Sequence, residues 1–271
     1  MRHSVFQKMI LNYYALNGRD LPWRRTQDPY SIMVSEIMLQ QTQVERVVVK
    51  YTTFLATFPT LSDLAHAALA DVLIAWQGLG YNRRAKYLHQ TAQVVEKKYG
   101  GTIPSSIAHL CDLPGIGYTT ACAMMVYAWN NPCAFVETNI RTVFLHHFFS
   151  EKLEISDADI LKIVTQTVYN ENPREWYWAL MDYGSMLKRE KRVNNSSSKH
   201  FTKQSRFIGS NRQIRGAIIT FLIKNKKIRF ENLHTIFHED KIRIENIAQK
   251  LIKEGLIVLE KRHLLLPKKN I

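Results

Sequence analysis

Residues 113–121 read LPGIGYTTA, a glycine-containing turn that runs directly into a predicted helix. Two glycines, Gly115 and Gly117, stand two apart, so the backbone can turn tightly before a helix begins at once. The first N–H groups of such a helix and the positive end of its dipole point outward, which suits an anion such as one DNA phosphate. An ordinary turn between two helices would look the same, so the surrounding sequence has to decide.

The residues on both sides of this turn predict a helical protein. Between residues 1 and 186 apolar residues recur at three- and four-residue spacing, as at Leu61, Leu64 and Leu69, with turn signals such as Gly78-Leu79-Gly80 between the segments. No sustained alternating run suggests a sheet. We therefore predict an all-α fold for this part of the chain.

The C-terminal part has a different pattern. Residues 188–212 are polar and basic with three consecutive serines, which predicts a linker or a long surface loop. Beyond it we predict helices near 212–224, 233–237 and 241–254 and a hairpin about the turn 260–262. This is the winged-helix order, whose usual role is to hold DNA, and a helical cap on the first domain is the alternative. The predicted domains and linker are 1–187, 188–212 and 213–271.

The positive charge is concentrated in one block. The chain has 271 residues, 46% of them hydrophobic, which excludes a largely disordered protein. Residues 1–186 hold 16 basic and 16 acidic residues, whereas residues 187–271 hold 21 and 7, so the net charge of +14 lies entirely in the C-terminal stretch. Such a block is typical of polyanion binding, because cations that meet phosphates release counterions. A merely solvated tail is the alternative.

Neither a membrane nor a secreted disulfide framework is expected. No window approaches the length of a membrane span, and the start lacks the apolar stretch of a signal peptide, so we expect a prokaryote-like cytoplasm, with association to the nucleoid through DNA. We also expect the protein to be a monomer. The odd number of cysteines and their apolar neighbours predict buried free thiols at Cys111, Cys122 and Cys133.

The chain resembles a known family in several motifs. The LPGIG turn, followed by a small-residue helix and by AFVETNIRTV at 134–143, resembles the helix-hairpin-helix (HhH-GPD) DNA glycosylase superfamily. The resemblance is closest to MutY-type adenine glycosylases and covers about residues 5–187, with no such match in the rest of the chain. The motifs that support it are LPWRRTQDPYSIMVSEIMLQQTQV at 21–44, WQGLGYNRRAKYLH at 76–89 and MDYGSM at 181–186. It implies two helical lobes that flank a DNA groove, with a base pocket between them.

Two carboxylates are the candidate catalytic pair. Glu36 lies among apolar helical residues, which favours its neutral form and suits a general acid; the resemblance implies that it protonates the flipped purine. Glu137 stands where the family has an aspartate that stabilises the cationic sugar. Because a shift of about 1 Å can cost roughly a hundredfold in rate, we predict that the backbone compensates for the extra methylene, and altered or lost activity is the alternative. Asn139 matches an asparagine that organises this carboxylate, or else caps a helix.

Other positions bear on the reaction and the base. Thr119 replaces the lysine of bifunctional relatives, and a threonine cannot form a Schiff base, so we predict base removal without strand cleavage. Trp23, Arg24 and Trp178 are predicted to line the base pocket. Trp178 stands where the family has an amide or carboxylate that reads the base, and a tryptophan can stack but cannot read adenine's edge.

The remaining predictions concern DNA contacts and cofactors. Gln40, Gln41 and Tyr81 match residues that fill the vacated stack or wedge the opposite strand, and a core tyrosine is the alternative for Tyr81. Arg84 and Lys86 are candidate phosphate contacts, and an exposed helix face is the alternative for them. Further predicted DNA-binding residues are Arg83, Gly115, Gly117, Tyr118, Thr120, Lys199, Lys203 and Arg206. The family's iron–sulfur cluster needs four cysteines just after Met186, yet no cysteine follows Cys133, so we predict no cluster and no other cofactor.

Together these features predict a monofunctional glycosylase acting on double-stranded DNA, with adenine opposite G or 8-oxoguanine as the leading substrate. A glycosylase for uracil or thymine in mismatches is one alternative. A DNA-binding protein that kept the fold and lost the chemistry is the other, and Glu137 is the feature that favours it.

Overall fold

The computed structural model describes residues 2–150, 154–191, 199 and 206–268. The chain forms two compact units, each built from two separate stretches of sequence. The first unit comprises Met1–Glu36 and Pro104–Lys203, and the second comprises Ile37–Ile103 and Gln204–Ile271. The predicted boundaries at residues 187 and 212 remain predictions.

Helices fill the part of the chain for which the all-α fold was predicted. In order they are α1 (His3–Asn17), a 3-10 turn (Pro22–Arg24), α2 (Pro29–Leu39), α3 (Val44–Thr57), α4 (Leu61–His66), α5 (Leu69–Ala75), α6 (Arg83–Tyr99), α7 (Ile107–Cys111), α8 (Tyr118–Trp129), α9 (Thr138–Phe148), α10 (Asp157–Thr167) and α11 (Pro173–Arg189). The described residues up to 191 contain no β-strand, so the all-α prediction is confirmed. Among all described residues, no helix has the length and apolar character needed to cross a membrane.

Close packing of α1, α9 and α11 forms the core of the first unit. Phe6 of α1 is fully buried and meets Phe144 of α9 and Trp176 of α11 edge to face, with ring centroids 5.4 and 5.7 Å apart. At Gly184 a Cβ would lie 2.4 Å from the carbonyl oxygen of Asn139. Only glycine therefore permits this approach of α11 to the start of α9, where Glu137 lies.

The C-terminal segment forms a small helical domain with a three-stranded sheet. Its elements are α12 (Asn211–Asn225), β1 (Lys227–Arg229), a 3-10 turn (Phe230–Asn232), α13 (Leu233–Phe237), α14 (Lys241–Lys253), β2 (Val258–Glu260) and β3 (His263–Leu265). The strands are antiparallel in the order β1-β3-β2, and Ile228 and Leu259 both pair with Leu264. Sequence analysis missed β1, because a single apolar residue between two charged ones gives no alternation to detect. The predicted order of three helices and a hairpin is otherwise present.

The β2–β3 hairpin ends in a basic two-residue turn. Lys261 and Arg262 have φ angles of 44° and 66°, the left-handed conformation of the tight turns that match the twist of paired strands. Both side chains are exposed. The hairpin therefore presents two positive charges at its tip.

The expectation of three buried free thiols was wrong. Cys122 and Cys133 form a disulfide with their Cα atoms 5.5 Å apart, and Cys111 is free but exposed. Helix α8 ends at Trp129, and the left-handed conformation of the following Asn130 (φ 54°) reverses the chain. The returning segment brings Cys133 beside Cys122, a proximity that spacing along the sequence does not reveal.

Candidate active site

Helix α2 presents Glu36 from an apolar surrounding. The buried residues around it are Ile32, Met33, Val34, Ile37 and Met38, whereas Glu36 itself is partly exposed. Burial raises the pKa of Glu36 to about 8, and the negative charge of Glu137 adds to the rise. A carboxyl group that holds its proton at neutral pH and still reaches solvent can donate that proton to a bound substrate.

Glu137 is the N-cap of α9. Its Oε1 accepts the backbone N–H groups of Asn139 and Ile140 at 2.5 and 2.8 Å, and Asn139 Nδ2 donates to Oε2 at 3.4 Å. Burial raises the pKa of Glu137, whereas these N–H groups and the charges of Lys188 and Arg141 oppose the rise. The helix N-terminus also favours an anion. Of the two carboxyl groups, Glu137 is therefore the one whose charged form is stabilised by backbone hydrogen bonds.

The capping geometry of Glu137 bears on the role of Asn139 and on the extra methylene of the glutamate. The residue that caps α9 is Glu137, so Asn139 supports the carboxylate instead of capping the helix itself. A short aspartate side chain usually makes such capping bonds to the second and third residues of a helix. Glu137 makes the same two bonds with one methylene more, and that the backbone compensates for this methylene remains a prediction.

Tyr127 of α8 is a third member of this cluster that sequence analysis missed. It is 7% exposed, and burial, followed by the charge of Glu36, holds its pKa well above the usual range, with Glu137 adding to the effect and Arg24 opposing it. Its hydroxyl therefore keeps a proton beside both carboxyl groups. Periodicity did not distinguish it from an ordinary core tyrosine, because it lies in a helix that is apolar on all sides.

The predicted base-pocket residues Arg24 and Trp178 lie together. Arg24 makes a two-pronged ion pair with Asp182, both bonds being 2.8 Å long, and its guanidinium lies 5.6 Å from the Trp178 ring centroid. Trp178 also stacks with Tyr127 at 6.2 Å. Arg24 is thus held by Asp182. Trp23, the third predicted pocket residue, is buried.

The turn at 113–121 has the conformation that its glycines suggested. Gly115 has a φ of 76°, which requires glycine, whereas Gly117 is the N-cap of α8 and makes no side-chain capping bond. A Cβ at Gly117 would meet nothing within 4 Å, so the N-terminus of α8 opens to solvent. Tyr118 and Thr119 are exposed there, and Thr120 is half-buried.

Arg84 is a buried anchor, and the prediction that it contacts phosphate was wrong. It is 8% exposed and donates to the carbonyl oxygens of Ile37 and Met38 at 2.7 and 2.9 Å. It also donates to Thr42 Oγ1 at 2.9 Å and to the carbonyl oxygen of Gly80 at 3.3 Å. Burial lowers its pKa to about 10. The charge of Arg84 serves to hold two loops instead of facing solvent.

The two loops that Arg84 holds include the predicted wedge residues. Gln41 and Tyr81 both have left-handed backbone conformations, with φ angles of 55° and 47°, which are uncommon outside glycine and asparagine. Gln41 is exposed, whereas Gln40 and Tyr81 are half-buried. Backbone of this kind persists only where its surroundings fix it.

The other predicted DNA contacts are distributed over both units. Arg83 and Arg206 are exposed, and Lys199 is exposed with its Nζ 4.0 Å from Glu154 Oε2. Lys203 lies outside the described residues. Lys86, which was a candidate phosphate contact, instead donates to the carbonyl oxygen of Glu254 at 2.5 Å.

Comparison with known proteins assigns the family. Residues 34–166 match the HhH-GPD superfamily base excision DNA repair proteins. An adenine DNA glycosylase of Mycolicibacterium smegmatis is 31% identical over 274 residues, which cover 94% of this chain and 93% of the relative. The chain belongs to the HhH-GPD superfamily.

A second relative and a solved structure are also similar to this chain. An adenine DNA glycosylase of Buchnera aphidicola subsp. Baizongia pistaciae is 35% identical over 192 residues, covering 69% of this HhH-GPD chain and 54% of the relative. The chain therefore spans about half the length of that relative. A thermostable thymine-DNA glycosylase of known structure is 29% identical with a TM-score of 0.62, covering 68% of this chain and 86% of that protein.

The similarity to HhH-GPD proteins extends further than the motifs indicated. Residues 187–271 make up almost a third of the chain, so an alignment that covers 94% of it includes much of them. The expectation that the resemblance stops near residue 187 was therefore wrong.

An iron–sulfur cluster of the kind implied by the resemblance does not fit the residues of this HhH-GPD chain. Such a cluster takes four thiolates, yet the chain has no cysteine after Cys133, and Cys122 and Cys133 are paired with each other. The described residues also contain no group of three or more His, Cys, Asp or Glu placed to hold a metal. That the protein needs no cofactor remains a prediction.

Proposed function

We propose that this HhH-GPD protein is a monofunctional DNA glycosylase that removes adenine opposite G or 8-oxoguanine from double-stranded DNA, and that it acts as a monomer. The observation on which the proposal rests is the pair Glu36 and Glu137. Burial and the charge of Glu137 raise the pKa of Glu36 to about 8, whereas only Glu137 accepts two backbone N–H groups that favour its charged form. Pairs of titratable groups with divergent environments mark acid and base roles in enzymes. The names of the relatives from Mycolicibacterium and Buchnera support adenine as the base.

In the proposed reaction Glu36 gives its proton to a ring nitrogen of the flipped purine. The bond between the base and C1′ of the sugar then breaks, and its electron pair leaves with the protonated base. The sugar becomes an oxocarbenium-like cation, which the Glu137 carboxylate stabilises because a fixed anion beside a developing cation lowers the barrier. Water adds to C1′ and loses a proton, which restores the acid form of Glu36 and leaves an abasic site.

Tyr127 and Thr119 bear on the course of the proposed reaction. Tyr127 keeps its proton beside both carboxyl groups and can donate a hydrogen bond to a reacting group. Thr119 is exposed at the start of α8 but has no amine with which to attack the sugar. We therefore expect the DNA strand to stay intact after base removal.

Features of both units support DNA as the substrate. In the first unit the open N-terminus of α8 suits one phosphate. In the second, the loops at Gln40-Gln41 and at Tyr81 present the side chains proposed to fill the gap left by the flipped base. The positive charge excess of residues 187–271 suits the phosphate backbone.

A second candidate function is the removal of thymine or uracil from mismatches with G. The similarity to a thymine-DNA glycosylase favours it. Trp178 favours it as well, because an aromatic ring offers no amide to read adenine's edge. The two candidates share the same catalytic pair and differ in the base that they accept, and with thymine or uracil the proton would go to a carbonyl oxygen because these bases have no basic ring nitrogen.

A panel of duplexes tests the proposal. The protein is incubated with A opposite 8-oxoguanine, A opposite G, U opposite G, T opposite G and hypoxanthine, and alkali then reveals abasic sites. We expect alkali-dependent cleavage at adenine that is absent in Glu36→Gln. Cleavage at T or U alone would replace adenine by the second candidate, cleavage before alkali would contradict the monofunctional assignment, and no cleavage of any duplex would indicate a DNA-binding protein without the chemistry.

A further inference from the structure

The loop at residues 77–82, here called the wedge loop, is held in an unusual backbone conformation. Gly78, Gly80 and Tyr81 all have left-handed φ angles, of 94°, 72° and 47°. Tyr81 has a Cβ and is therefore strained there. Trp76 Nε1 donates to the carbonyl oxygen of Gly80 at 3.1 Å, and Arg84 donates to the same atom. The backbone of the loop is therefore held by residues of the same compact unit.

Described residues of the C-terminal domain make hydrogen bonds to the wedge loop and to the start of α6. Arg212 Nη1 donates to the Tyr81 hydroxyl oxygen at 2.6 Å. The other two contacts are Gln77 Nε2 to Thr220 Oγ1 at 3.3 Å and Lys86 Nζ to the carbonyl oxygen of Glu254 at 2.5 Å. All three partners from the N-terminal stretch belong to the WQGLGYNRRAKYLH motif at 76–89, and both stretches belong to the second compact unit.

Arg212 also stacks on aromatic rings. Its guanidinium carbon lies 5.5 Å from the ring centroid of Tyr81 and 5.5 Å from that of Phe207. Arg84 lies 5.5 Å from the Tyr81 centroid as well, so two guanidinium groups contact one tyrosine ring. A planar guanidinium that stacks and hydrogen-bonds at once restricts both the tilt of the ring and the position of its hydroxyl.

From this juxtaposition we infer that Arg212 is a positioning residue for Tyr81, and that the C-terminal domain acts in base flipping as well as in phosphate binding. A side chain that enters a base stack must be held in one orientation before it meets DNA. Arg84 fixes the backbone of the loop, and Arg212 fixes the end of the side chain. The inference rests on the proposed function, in which Tyr81 fills or wedges the stack.

Three substitutions separate positioning from charge. Arg212→Met removes the hydrogen bond and the planar group, Arg212→Lys keeps the charge but not the planar fork, and Tyr81→Phe removes only the hydroxyl. Lys224→Met is the matched control, because Lys224 is an exposed cation on the same helix α12. Circular dichroism and a cooperative melt establish that each variant is folded.

The measurements are the single-turnover excision rate, the dissociation constant for undamaged duplex and the fluorescence of 2-aminopurine placed at the target position. We expect Arg212→Met to slow excision and to reduce the flipping signal about tenfold, with the dissociation constant changed no more than in Lys224→Met. Arg212→Lys should be as slow as Arg212→Met. The double variant with both Arg212→Met and Tyr81→Phe should be little slower than Arg212→Met alone, because the two side chains share one contact.

Two results would overturn the inference. Equal rates and flipping signals in Arg212→Met and Lys224→Met would mean that Arg212 contributes only charge. Faster excision in Arg212→Met would mean that the contact restrains Tyr81 instead of preparing it. Failure of the proposed function is distinguishable from both, because the wild-type protein would then excise no base in the same assay.

Discussion

The carboxyl groups of Glu36 and Glu137 influence each other, and only Glu137 caps a helix. The charge of Glu137 adds to the effect of burial on Glu36 and raises its pKa to about 8, whereas two backbone N–H groups stabilise the anionic form of Glu137. The sequence places these residues 101 positions apart. Their different environments lead to predictions for each carboxyl group in turn.

Glu36→Gln should lower base excision by about 10²–10⁴-fold, because it deletes the proton donor. DNA affinity should change by less than about twofold, since shape and phosphate contacts are kept. Single-turnover kinetics and a binding titration measure the two quantities. In the wild type the excision rate should also fall as the pH rises through about 8, where Glu36 loses its proton. Retained excision in the variant would refute the assignment.

The same substitution should stabilise the fold at high pH. The folded-state pKa of Glu36, about 8, lies above its ordinary value of 4.5, so the folded protein holds this proton more tightly than the unfolded chain. The bound proton of Glu36 therefore contributes to the stability of the folded state. This contribution is fully present below the unfolded pKa and is lost as the pH rises toward 8. The gain in Tm of Glu36→Gln over the wild type should therefore grow between pH 4.5 and 8. A gain that does not vary with pH would contradict the raised pKa.

Glu137→Gln should also lose activity by at least about a hundredfold, because the fixed negative charge beside the sugar disappears. Glu137→Asp should be no faster than the wild type, since the longer side chain already makes the capping bonds to Asn139 and Ile140. Single-turnover rates decide the point. An aspartate variant that outpaces the wild type would mean that the extra methylene still displaces the carboxylate.

Purified protein should be colourless, with no absorbance near about 400 nm from an iron–sulfur cluster and no loss of fold on chelation. The reason is that no cysteine follows Cys133. Elemental analysis checks the iron content and circular dichroism checks the fold. Stoichiometric iron would contradict the prediction that the protein needs no cluster.

The basic tip of the β2–β3 hairpin should contact phosphates. Replacing Lys261 and Arg262 together by Gln should weaken binding to all duplexes equally and reduce the slope of log K against log salt by about 0.9 for each phosphate that the tip neutralises. The matched control replaces Lys97 and Lys98, which are exposed on α6 outside the basic block. A slope that falls equally in both double variants would show that total charge, and not the hairpin, sets the salt dependence.

Much of the fold followed from local patterns. Helical periodicity with glycine and proline breaks predicted the helices between residues 1 and 186, and the C-terminal helices begin and end within one residue of the predicted positions. Strand β1 was not predicted from the sequence, because it is too short to show an alternating pattern and pairs with β3, which is distant in the chain. The disulfide between Cys122 and Cys133 was not predicted either, because the two cysteines meet only after the chain reverses direction at the end of α8.

The sequence by itself determined the family motifs, the candidate acid Glu36, the second carboxylate Glu137 and the location of the charge, because these depend on residue type and spacing. Only the tertiary structure decided which cations are available. Arg24 is held by Asp182, Arg84 by carbonyl groups and Arg212 by Tyr81, although all three look alike in the sequence. The physical reason is that the free energy of a charge depends on its burial and its partners, and residues far apart in the chain supply both.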